Sequence, residues 1–173
     1  YSAGQHLEVH RGEDMLKSLH HTGFVVRDLD ASAAFYSEVM GLVETSRIEA
    51  GGEFPERMLG LKGAHLKVAF LNMGDGHNLE LVQYIYPPGA EVQVNLNDLG
   101  ASHLAFFVEN LEEYYSTMSQ KGLRFIGPPP SLTRDGGVMV SDASGTRPGE
   151  IGTKAIFAQD PDGNWLACIE YAE

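Results

Sequence analysis

The chain repeats itself. The stretch LHHTGFVVRDLD, from Leu19 to Asp30, returns as ASHLAFFVENLE, from Ala101 to Glu112. His21 falls on His103, Phe24 on Phe106, Val26 on Val108 and Leu29 on Leu111. A second pair matches in the same way: DGHNLELVQY, from Asp75 to Tyr84, returns as DGNWLACIEY, from Asp162 to Tyr171. Repetition constrains the fold strongly, because each copy must build the same unit and a small unit buries its apolar face best against a neighbour.

Each copy predicts a strand, a helix and about three further strands. In the first, Asp28 or Asp30 can cap a helix with an apolar stripe of Phe35, Tyr36, Val39 and Met40, stopped by Gly41. In the second, Asn110 is the cap, Glu113 sits where a capping box needs it, and Leu111, Tyr114, Tyr115 and Met118 form the stripe before Gly122. The strand-like segments that follow are VETSRI, HLKVAFL and LELVQY in the first copy, and LRFI, GVMVS, KAIFAQ and NWLACIEY in the second. The expected organisation is an N-terminal extension over 1–18, a first βαβββ module over 19–86, a linker over 87–100 and a second module over 101–173. The expected class is α+β, with paired modules forming a curved mixed β-sheet around a cleft. Half-exposed sheets are best covered by each other or by a second chain, so a homodimer is expected.

Charge and composition remove several functions. Lys and Arg number 12 against 24 Asp and Glu, a net charge of -12. That argues against binding nucleic acid or an anionic membrane. No apolar run is long enough to span a bilayer, and the first residues lack a signal-peptide core. Cys168 is the single cysteine, which excludes an internal disulfide and a cysteine-rich metal site. A cytoplasmic protein acting on a small molecule is the expectation.

Strand parity then nominates a site. Alternate residues of a strand face opposite sides. If Phe24 and Val26 face the helix, His21, Gly23 and Val25 face away; in the second copy His103, Ala105 and Phe107 do so. Glu80 shares its face with Val82 and Tyr84 and can join the two histidines. Two imidazoles and one carboxylate suit a divalent zinc, manganese, iron, nickel or cobalt ion without choosing among them. His20 is expected to face the other way, His65 and His77 to lie on the surface, and Cys168 to be a buried apolar residue. Arg47, Arg57, Arg134 and Arg147 are candidates for holding a substrate anion, against the alternative of solvated surface charge. The pairs Gly51-Gly52 and Gly136-Gly137 read as lid hinges or as ordinary turns.

Four segments, HHTGFVVRDLDASAAFYSEVMGL, NLELVQY, SHLAFFVENLEEYY and DPDGNW, occur in that order. Through them the chain resembles the vicinal oxygen chelate superfamily, which includes glyoxalase I, methylmalonyl-CoA epimerase, extradiol dioxygenases and the fosfomycin and bleomycin resistance proteins. The resemblance implies four ligand positions, one from each first strand and one from each last strand. His21, Glu80 and His103 fill three; the fourth is Ala167. In glyoxalase-like and epimerase-like members the fourth carboxylate also moves a proton, which Ala167 cannot do. Glu170 is on the opposite face of its strand, about 10 Å along it from the required spot; Glu53 and Glu150 are conceivable donors from loops. The implied function is a metal-dependent lyase or isomerase that activates a small oxygenated substrate by Lewis-acid chemistry, with Glu80 as its catalytic carboxylate. The alternatives are an extradiol-type dioxygenase and a non-catalytic small-molecule-binding or resistance protein.

Overall fold

The computed structural model describes residues 18–130, 139–142, 145–148 and 154–170. The first copy gives β1 (Thr22–Val25), α1 (Leu29–Glu38), β2 (Val43–Gly51), α2 (Glu53–Leu59), β3 (His65–Asn72) and β4 (Asn78–Tyr86). The second gives β5 (His103–Phe107), α3 (Leu111–Gln120), β6 (Arg124–Phe125), β7 (Met139–Asp142), β8 (Gly145–Pro148), β9 (Lys154–Gln159) and β10 (Trp165–Glu170). These form two four-stranded mixed sheets, ordered β1-β4-β3-β2 and β5-β10-β9-β6, with β7 and β8 in a separate hairpin. The architecture is α+β, and the two sheets have the same order once the hairpin is set aside. GVMVS was expected among the strands of the second module; its described part lies in that hairpin.

The helices start where their caps allow. Asp28 accepts from the Ala31 amide at 3.0 Å, and Asn110 accepts from the Glu113 amide at 3.1 Å. Each cap satisfies one of the amides that a first turn leaves without a partner. A second device repeats as well. The Leu29 amide donates to Gln83 Oε1 at 3.2 Å, and the Leu111 amide donates to Glu170 Oε2 at 2.6 Å. Gln83 and Glu170 occupy matching positions in the two last strands, so each module ties its helix start to its own sheet.

One core joins the modules. Phe24, Tyr36, Leu71, Leu79 and Leu81 from the first pack with Phe106, Leu123, Ala158 and Leu166 from the second. The turn between β9 and β10 reinforces the joint with polar contacts. Asp160 is fully buried and accepts from the Tyr36 hydroxyl at 2.9 Å, from the Asn164 side chain at 2.8 Å, and from the amides of Asp162 and Asn164. Burial raises its carboxyl pKa above the usual range, and the hydrogen bonds from Asn164 and Tyr36 work against that shift. Asp162 completes the joint by accepting from Ser32 Oγ at 2.9 Å and from the Arg27 amide at 3.1 Å.

Helix α2 is the element that sequence reading missed. Its Pro55 sits in the first turn, where proline costs no hydrogen bond, and Gly60 ends it in the left-handed region at φ 68°. Leu59 packs onto Leu66, Val68 and Val82, so α2 lies over the face of the first sheet opposite α1.

Candidate active site

The pairing register tests the repeat directly. Gly23 lies beside Glu80 in the parallel β1–β4 ladder, and Ala105 lies beside Ala167 in the β5–β10 ladder. Across the next strand, Phe70 is opposite Glu80 and Phe157 is opposite Ala167. Ala167 therefore holds the second-copy place that Glu80 holds in the first. It is buried at 3 % exposure.

On the first sheet, the face away from α1 carries His21, Gly23 and Val25, then Glu80, Val82 and Tyr84, then Phe70, Val68 and Leu66. This is an apolar floor with one carboxylate and one imidazole on it. His21 Nε2 lies 3.2 Å from Glu80 Oε2, and the two side chains keep 35 % and 20 % of their exposure. The contact crosses β1 at Gly23. A Cβ on Gly23 would stand 3.1 Å from Glu80 Oε2, tighter than side chains normally tolerate. The second copy has alanine at that place, where no carboxylate needs to pass.

His20 differs from expectation. It was read as turned away from the site, yet its Nδ1 is 2.6 Å from His21 Nδ1. Its ring stands edge-on to His21 at 4.9 Å and to Phe70 at 6.3 Å. His20 and His21 both precede β1, where alternation no longer sets side-chain direction. The signal available in the sequence was the doublet His20-His21 itself. Both histidines line a cavity of about 340 Å³, with Leu104, Phe106 and Phe107 of β5 on its other wall.

His103 is exposed at the start of β5 and stands edge-on to Phe157 with ring centres 5.1 Å apart. It does not join the His21–Glu80 pair within one chain. Direction explains this. The start of β1 shares a cavity with Leu104–Phe107, whereas its end meets the β9–β10 turn through Arg27 and Asp162. The two first strands therefore run past each other in opposite senses. Asn164, next to Trp165, which pairs with His103 in the β5–β10 ladder, donates to the Val25 carbonyl at 3.5 Å, so His103 lies toward the end of β1 and away from His21. Among the described residues of one chain, no group of three or more His, Cys, Asp or Glu side chains is close enough to hold a metal ion. The chain thus brings two of the three expected donors together and leaves the third elsewhere on its surface.

The other candidates find different work. Glu170 caps α3 and pairs with Lys154 at 3.2 Å, so it is committed away from the site. Glu53 pairs with Arg57 at 3.6 Å on the outside of α2. Arg47 is held by Glu44 and Asp30. His65 pairs with Glu49 at 2.7 Å, and His77 with Asp75 at 3.3 Å. Cys168 is buried, and burial pushes its thiol up to about 11, consistent with an apolar role. Glu150, Arg134, Gly136-Gly137 and Tyr171 lie outside the described residues, as does the Arg147 side chain. No helix among the described residues is long and apolar enough to cross a membrane.

Comparison with known proteins agrees with this architecture. A 2-epi-5-epi-valiolone epimerase from Actinomyces sp is 33% identical over 129 residues, covering 71% of this chain and 69% of that protein. A glyoxalase family protein from Bacillus cereus has the same fold, with a TM-score of 0.75, 21% identity, and coverage of 94% of this chain and 99% of that one. The trypanothione-dependent glyoxalase I of Leishmania major superposes with a TM-score of 0.54 at 21% identity, over 90% of this chain and 87% of that one. The family model for glyoxalase matches residues 18–168, and the chain is a member of the Glyoxalase/Bleomycin resistance protein/Dioxygenase superfamily.

Proposed function

We propose that this chain is an isomerase of the glyoxalase type, moving a proton at the carbon beside the carbonyl of a small oxygenated substrate. The observation that carries this reading is the Glu80 carboxylate, set 3.2 Å from the His21 imidazole, with both side chains still partly exposed, beside an apolar patch of the sheet. A carboxylate so placed can take a proton from a carbon acid, and the neighbouring cavity lined by His21 can accept a small substrate. Kinship with an epimerase, whose named substrate is by its ending a ketone, supports the same reaction class.

The donor types fit a divalent ion, and their placement fits two chains better than one. His21 and Glu80 of one copy, with His103 of a second copy, are the proposed ligands in a homodimer. Zinc, manganese, iron, nickel or cobalt held there would polarise the substrate carbonyl and make the neighbouring C–H more acidic. Glu80 carries the proton. Because Ala167 offers no carboxylate, the opposite face of the substrate receives its proton from water, and Glu80 is the one protein base.

Deuterium exchange tests this. Purified protein, stripped with chelator and reloaded with each metal in turn, is incubated with a panel of polyhydroxylated ketones in D₂O. We expect metal-dependent deuterium uptake at the α-carbon, and a fall of about 10²-fold or more in Glu80→Gln. Uptake that survives the Glu80→Gln change removes Glu80 from the mechanism. A second reading, a binding protein without chemistry, is favoured by the missing carboxylate at Ala167. It requires tight ligand binding with no exchange in any metal-loaded form.

A further inference from the structure

We propose that the cavity beside the linker is a second binding site, for a small neutral ring bearing several hydroxyls. It has a volume of about 400 Å³, and neither His21 nor Glu80 lines it. Its walls are residues 24–27 at the end of β1, residues 100–102 at the entry to β5, and the 162–165 turn. Linker residues 88–92, with Val94, form the remaining side. The volume falls within the range of small-molecule sites, roughly 300–1,000 Å³.

The internal repeat accounts for its place. The cavity lined by His21 is made of residues 19–22, residues 104–107 of β5, and the turn that carries Asp75 and Asn78. Moved by the repeat, residues 19 and 20 become 101 and 102, the 75–78 turn becomes 162–165, and residues 106 and 107 become 24 and 25. The two cavities are therefore one crevice, formed twice where the modules meet. They differ in chemistry and in cover. The second copy has Ala167 in the place of Glu80, so its crevice can hold a ligand without a carboxylate from that place to move a proton. The linker lines this crevice and not the other. It is fastened to both modules: Arg27 Nη2 donates to Glu91 Oε1 at 2.6 Å, and Trp165 Nε1 donates to the Val94 carbonyl at 2.8 Å.

The lining selects the ligand. Its charges already have partners. Arg27 is matched by Glu91, and Asp162 accepts from Ser32 Oγ and the Arg27 amide. An ionic ligand would have to displace them. The Asn164 amide is spent on Asp160 and on the Val25 carbonyl. What remains is neutral. Tyr84 and Ser102 line the cavity, and among the described residues their hydroxyls make no hydrogen bond. Beside them stand the Trp165 indole and the exposed Val25 and Val92 side chains. A hydroxylated ring supplies donors and acceptors at its rim for the two hydroxyls, and C–H faces for the indole and the valines.

Trp165 is the single tryptophan of the chain, so one indole N–H resonance reports on this cavity. The probe is myo-inositol, a hydroxylated ring with no carbonyl, whose binding is read apart from any turnover. Titration should shift the indole resonance saturably in wild type and in Glu80→Gln alike. In the double variant Tyr84→Phe, Ser102→Ala the affinity should fall about tenfold or more, with the free protein's spectrum showing that it folds. No shift in wild type overturns the proposal, and so does an unchanged affinity in the double variant. A stronger response to inorganic phosphate or to tetramethylammonium overturns the neutral ligand class. Loss of the response in Glu80→Gln would place the probe at the His21 cavity and overturn the second site. A saturable indole response in a protein that fails the deuterium-exchange test leaves this site standing and removes the isomerase reading alone.

Discussion

At the residue scale, a missing side chain decides how the site is made. Glu80 reaches His21 because Gly23 has no Cβ in the way. Gly23→Ala would bring a carbon to within 3.1 Å of Glu80 Oε2. The carboxylate is the free end of a flexible chain and can swing aside, so the fold should tolerate the change at a cost of about 1 kcal/mol or less. The His21–Glu80 contact should not survive it. We expect a nearly unchanged melting temperature and a metal affinity several-fold weaker by chelator competition. Equal affinity in the two proteins would mean that Glu80 is not held across β1. The vacancy in the second copy obeys the same rule: with Ala167 in place of a carboxylate, Ala105 has nothing to make way for. The repeat made the Glu80-to-Ala167 correspondence readable in the sequence, since both lie at fixed offsets from a DG turn. The Gly23 passage was not readable, because it depends on which way a carboxylate leans over a neighbouring strand. His20 escaped for a related reason: it and His21 both precede β1, where alternation no longer sets which way a side chain points.

At the element scale, local rules predicted the helices that start at Leu29 and Leu111 and the strand pattern of both sheets, because caps, apolar stripes and alternation are all local. What they could not show was contact between distant elements. Helix α2 lay in a segment read as glycine hinge and loop; Pro55 in a first turn and Gly60 past the end were its signals. The DPDGN turn was seen as a family mark, whereas its work is to join the modules. Asp160 gathers four donors, one of them the Tyr36 hydroxyl of the other module. Asp160→Ala leaves those donors buried without an acceptor. By the cost of breaking buried hydrogen-bond networks to a charged group, the loss should be about 3–5 kcal/mol. Tyr36→Phe removes one donor and should cost about 1 kcal/mol. Urea unfolding of the two variants measures both. Similar losses would show that the Tyr36 contact alone carries the effect and that the loop's own three donors add nothing.

At the scale of the whole molecule, the two copies are alike in topology and unlike in chemistry. The first holds a carboxylate and two adjoining imidazoles; the second holds one exposed imidazole that does not join them within the chain. The exposed sheet faces also carry apolar side chains, Val25 at 58 % and Phe107 at 65 % exposure. A second copy related by a two-fold axis would cover both faces and bring its His103 to the first copy's pair, twice over by symmetry. Subunit mixing separates this arrangement from a site within one chain. His21→Ala and His103→Ala each destroy every site in their own homodimer. In a mixed dimer, one site carries both changes and the other carries neither. Random exchange gives half mixed dimers, so about a quarter of the sites should regain metal binding on mixing two inactive proteins. Recovery near that level, together with a dimer in sedimentation, is the expected result. If mixing restores nothing while each variant still forms dimers, the ligands belong to one chain, and His103 must reach the pair by a rearrangement of β5 against β1.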